Sequence, residues 1–129
     1  LTLRTLLDED MAALRHEVMG IALALAEQSG LKVDFSHHDR FAACINDAEA
    51  TQCIIHSLDA LGIRHDDQSL PMRASEDFGL FGTQARSAMF LLGAGETRPA
   101  LHNPDYDFPD DLIPLGVAIF ESILRDLLN

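Results

Sequence analysis

Apolar residues recur along this chain in two periods. Leu1, Leu3 and Thr5 alternate with Thr2, Arg4 and Leu6, the mark of a short strand. From Met11 the step changes: Met11, Leu14, Val18, Ile21 and Leu25 are three and four residues apart and share one helical face. Asp8 is placed to cap that helix, with Glu9 and Asp10 in its first turn, and Gly30 to close it in left-handed geometry. Alternation resumes at Leu31, Val33 and Phe35. Residues 1–36 therefore predict a strand–helix–strand (βαβ) unit.

His37-His38-Asp39-Arg40 follows as a polar connection. Two adjacent histidines invite a metal, but neighbouring side chains on an extended chain point to opposite faces, so an exposed loop is the better reading. A second helix is expected from Asp47, its cap, with Ala50, Ile54, Leu58 and Leu61 as its stripe and Gly62 as its stop. His56 lies at the edge of that stripe and reads as exposed or hydrogen-bonded. Residues 63–74 read as an irregular connection. Ser75 is expected to cap a short helical turn holding Glu76 and Asp77, broken by Gly79 and Gly82. A strand at 88–92 then enters Gly93-Ala94-Gly95, a loop carries His102 and Pro104, and a last helix spans about 111–127 with Leu112, Leu115, Ile119, Ile123 and Leu127 as its stripe. The fold class expected is α/β, with a division into 1–45 and 46–129.

Composition narrows the function. At 129 residues and 47% hydrophobic, the chain can build one ordinary core or two small ones. No apolar run approaches the roughly 18 residues of a membrane span, and a cytoplasmic chain without membrane partners is expected. Cys44 and Cys53 are too few for a disulfide framework, and Cys53 falls on an apolar helix face as a small buried thiol. The net charge of −12, with nine scattered Lys and Arg residues, argues against nucleic acid as a partner. A start at Leu1, already in a strand, reads as a piece of something longer.

The chain has no nucleophile elbow, phosphate loop, HExxH helix or paired-cysteine metal motif. Gly93-Ala94-Gly95 lacks the third glycine and the context of a dinucleotide site. What remains is His102, the acids at 76–77 and 105–111, Arg4 and Asn46. Asp110 and Asp111 are explained as helix caps, and Asp105 and Asp107 as solvated. One loop histidine does not make a metal site, because zinc takes about four ligands.

The segments LGAGE, LHNPDYDFPDDLIPLG and PMRASEDFG, in this order and spacing, resemble the C-terminal end of a family of metal-dependent amidohydrolases and carboxypeptidases. That family includes aminoacylases, hippurate hydrolases and hydrolases of indole-acetyl amino acids. LTLRT resembles the GTxRT strand of its smaller lid domain. FAACIND resembles the FPxTxND segment returning to the catalytic domain, with Ala42 in place of the proline. The resemblance implies half of a βαβ lid or dimerisation domain in 1–45 and the last segment of an α/β metallopeptidase catalytic domain in 46–129. It implies two divalent ions, zinc or manganese, in the whole enzyme, with His102 as a ligand to one. It also implies that the other ligands and the general-base glutamate lie outside this chain, which then holds no catalytic residue of its own and is inactive alone.

The substrate implied is an N-acyl amino acid or related small amide, and the assembly a homodimer through the lid. Arg4 either grips the substrate carboxylate, which suits a guanidinium, or is a surface arginine. Asn46 either contacts substrate or caps a helix. Glu76 and Asp77 either orient a metal ligand or the substrate, or are acids of a helical first turn. The alternative function is a non-catalytic βαβ-containing module for a small ligand or for assembly.

Overall fold

The computed structural model describes every residue except Ser69, Ser75 and Asn129. Its regular elements are α1 (Asp8–Gln28), α2 (Ala48–Ala60), a 3-10 helix (Asp77–Thr83) and α3 (Leu112–Leu128). Among the described residues there is no strand. The α/β expectation, and the βαβ unit with it, is therefore wrong for this structure, which is all helical. The physical reason lies in what alternation encodes. It assigns side chains to faces, but a strand also needs a backbone partner, and no backbone hydrogen bond joins residues 1–6 to 31–36.

The chain forms two contact units, Leu1–Ile45 with Pro71–Gln84, and Asn46–Leu70 with Ala85–Asn129. In the first, α1 begins after Leu7, whose extended backbone provides the cap position without a side-chain bond. Asp8 is not that cap. Its carboxylate instead accepts from the Ala43 backbone N–H at 2.8 Å, tying the 41–45 segment to the start of α1.

The other end of α1 closes as its glycine foretold. Gly30 sits at φ 64°, and Leu31 N–H reaches back to the Ala26 carbonyl at 2.8 Å while Gly30 N–H reaches Glu27 at 3.2 Å. Met11, Leu14 and Val18 are half-buried, but Ile21 and Leu25 from the same stripe are exposed, and Ala26 is the buried residue of this helix. The 3-10 helix runs through Gly79 and Gly82 rather than stopping at them. Gly79 is buried against residues 42–43, where an added Cβ would stand 2.3 Å from the Ala42 carbonyl oxygen. The cap expected at Ser75 lies outside the described residues.

In the second unit Asp47 caps α2, its Oδ1 accepting from Ala50 N–H at 2.9 Å. Gly62, at φ 67°, ends α2 with the same paired closure, Ile63 N–H to Leu58 and Gly62 N–H to Asp59. α2 packs on α3 through Ile54, Leu58 and Ile119, with Ile63, Ala88, Phe90, Leu92, Leu115 and Ile123 around them. Ala88, Phe90 and Leu92 are every second residue of the segment expected as a strand. Leu61 and Leu127, expected in the stripes, are exposed. Ser57 is fully buried on α2 with its hydroxyl unpartnered. No described helix is long and apolar enough to cross a membrane.

Candidate functional site

His102 owes its position to two consecutive turns. Asn103 N–H donates to the Ala100 carbonyl at 3.0 Å, and Tyr106 N–H to the Asn103 carbonyl at 3.0 Å. In the first turn His102 holds the third position with φ 72°, while Leu101 before it does not have positive φ, which is the pattern of a type II turn. Glycine or asparagine is the usual occupant there, so a histidine is an uncommon choice. In the second turn Pro104 follows Asn103, the second position that proline favours. Arg98 Nη2 lies 3.4 Å from Asp111 Oδ1, linking the start of the loop to the start of α3, and Pro109 is buried at the loop's far end. The imidazole itself is exposed.

Asn46 sits one residue before the α2 cap, and both ends of its carboxamide engage Met89. Its Nδ2 donates to the Met89 carbonyl at 2.8 Å, and its Oδ1 accepts from the Met89 N–H at 2.9 Å. Asp47 N–H donates to the Ser87 carbonyl at 2.8 Å. A side chain and one backbone amide thus supply hydrogen bonds that a neighbouring strand would otherwise give to residues 87–89. Arg86 and Glu49 form an exposed ion pair beside them.

Arg4, Glu76 and Asp77 belong to the first unit, Asn46 and His102 to the second. Arg4 is exposed, and its Nη1 donates to the Arg73 carbonyl at 3.4 Å. Glu76 occupies the cap position of the 3-10 helix and Asp77 its first turn, both exposed. Among the described residues, no three His, Cys, Asp or Glu side chains stand close enough to hold a metal ion. The donor set around His102 within this chain therefore does not fit a metal centre by itself.

The pattern of the sequence did not disclose a shallow, open depression on the second unit, lined by Gln52, Cys53 and His56 of α2 and Asp126 of α3. His56 Nε2 lies 3.8 Å from Asp126 Oδ2. The spacing of 52, 53 and 56 places the three α2 residues on one face, but only the packing of α3 supplies Asp126. Cys53 is half-buried rather than buried, Cys44 is exposed, and both are free thiols. His37 and His38 are exposed, His38 reaching Ser36 at 3.3 Å.

Residues 6–126 match Peptidase family M20/M25/M40. An N-acetyldiaminopimelate deacetylase of Exiguobacterium sibiricum is 24% identical over 125 residues, covering 97% of this chain and 33% of that protein. Another from Listeria monocytogenes is 26% identical over 127 residues, covering 96% and 33%. An uncharacterized hydrolase of Staphylococcus epidermidis is 20% identical over 130 residues, covering 97% and 34%. The chain spans about a third of the length of these curated relatives. No solved structure gives a significant match. With the family covering all but a few residues at either end, this chain belongs to Peptidase family M20/M25/M40.

Proposed function

We propose that the chain is part of a metal-dependent amidohydrolase that removes the acyl group from an N-acyl amino acid. The observation that carries this reading is the match to the peptidase family over residues 6–126, together with relatives named as deacetylases of an N-acetylated diamino acid. Metal dependence belongs to the same proposal, and His102 is the residue through which this chain would contribute to it. The turn holds its imidazole in solvent, where a nitrogen is open to coordination, and the remaining ligands would come from residues outside this chain. Arg4 is the candidate grip for the substrate carboxylate and Glu76 and Asp77 are candidate orienting acids. A homodimer through residues 1–45 and a cytoplasmic location complete the reading.

The test compares the 129-residue chain with the full-length protein. The chain alone is expected to release no amino acid from N-acetylated amino acids, with or without added zinc or manganese. His102→Ala in the full-length protein is expected to lower bound metal, read by elemental analysis, and turnover together by at least tenfold. Unchanged metal content and rate in that variant would remove His102 from the site. Full-length protein without any amidase activity would leave a non-catalytic binding or assembly module as the function.

A further inference from the structure

α3 is apolar on two separate faces. One, made by Leu115, Ile119 and Ile123, packs on α2. The other runs Ile113, Val117, Phe120, Leu124 and Leu127, in steps of four, three, four and three, and occupies an arc of about 80° at 3.6 residues per turn. Every residue of this second stripe is 53–63% exposed, although Phe120 touches Phe90 with ring centroids 5.6 Å apart. The charged residues of the helix are Glu121, Arg125 and Asp126; the first two form an ion pair one turn apart, Asp126 stands beside His56 of α2, and the stripe is left unbroken. The Glu121 carboxylate, first as a hydrogen-bond acceptor and then as a charge, raises the Arg125 guanidinium above its usual value. A helix apolar on more than one face belongs between two layers, not at a surface.

We propose that this outer face of α3 is an interface covered by further residues of the protein's own polypeptide. The lengths of the relatives support that occupant: each matches this chain nearly end to end yet carries about twice as much additional sequence. A second copy of the chain fits less well. Two chains of net charge −12 repel on approach. Large apolar side chains are also exposed on the other contact unit, at Ile21, Leu23 and Leu25 of α1 and at Leu31 after it, so the unmet apolar surface is not confined to α3.

The experiment is maleimide labelling at Val117→Cys and, separately, Leu124→Cys, in a background with Cys44→Ser and Cys53→Ser. It is done on the 129-residue chain and on the full-length protein, with the mass of the native species read first by immunoblot. Both thiols are expected to react freely in the chain and at least tenfold more slowly in the full-length protein. Equal rates in the two would overturn the proposal, as would a native species of 14.2 kDa, the mass of this chain alone. Protection in the short chain together with a doubled mass by sedimentation equilibrium would overturn it in favour of a second copy. Hydrogen exchange across α3 in unsubstituted protein gives the same comparison if a cysteine variant fails to fold. None of these readouts needs catalytic activity, so the interface and the proposed function fail separately.

Discussion

Asn46 uses one donor and one acceptor of its carboxamide on a single residue, Met89, 43 positions away. This makes it a brace for the segment leading to the His102 loop, whatever else the remaining N–H contacts. Asn46→Asp keeps the acceptor, loses the donor and sets a carboxylate against the Met89 carbonyl. It is expected to cost about 1–2 kcal/mol in urea unfolding, and Asn46→Ala about 1 kcal/mol. Unfolding curves identical to the parent in both variants would show the brace to be idle and return Asn46 to substrate contact alone. The neighbouring Asp47 cap was legible in the sequence because its partner is three residues away. The Asn46 brace was not, because nothing periodic links positions 46 and 89. The same holds for Asp8, whose long-range bond to Ala43 took it from the cap role its local context suggested.

At the scale of elements, helices were legible and extended segments were not. The three α-helices begin and end within a few residues of the positions read from spacing, since a helix satisfies its backbone from within. Gly30 and Gly62 stop α1 and α2 in left-handed geometry, as their places after the apolar stripes suggested. A strand depends on a neighbour that alternation does not name, so residues 1–6, 31–36 and 88–92 were misread. Gly79 was misread as well. Its place in the sequence suggests a helix breaker, whereas it lies within the 3-10 helix, at a point where the Ala42 carbonyl leaves no room for a Cβ. Gly79→Ala is therefore expected to destabilise by about 1–3 kcal/mol, through overpacking against backbone. Gly93→Ala, with nothing within 4 Å of the added carbon and no positive φ, is expected to change stability by less than about 0.5 kcal/mol. Thermal unfolding of the pair checks both, and equal shifts would mean that the 42–43 segment yields.

At the scale of the whole molecule, burial is sparse. Among the described residues the buried hydrophobic side chains of the core are Ala26, Ile54, Leu58 and Ile119, set against a much longer roster of exposed large ones, and of these four only Ile119 is wholly enclosed. Ile119→Ala removes the centre of the second unit's core and is expected to cost about 2–5 kcal/mol. That is a large fraction of the roughly 5–15 kcal/mol by which domains are commonly stable, so weakening of the α2–α3 pair, read as a lowered unfolding midpoint by circular dichroism, is the expected result. Periodicity identified α3 as amphipathic and correctly placed Leu115, Ile119 and Ile123 inward. It could not rank its two apolar faces, nor know that Leu61, Leu127, Ile21 and Leu25 would stay exposed, because a stripe specifies a direction and not what stands there. The joining of 71–84 to the first 45 residues was invisible for the same reason.

The left-handed backbone at position 102 also bears on how this loop would drift. A side chain there costs on the order of 1 kcal/mol relative to glycine. Were the imidazole idle, replacement by glycine would be an improvement that random change could reach and keep. Alanine at 102 retains the backbone burden and removes only the ring, whereas glycine removes both. A loop that becomes more stable with glycine, while the full-length protein loses its metal, would mean that the histidine is held against the preference of its own backbone.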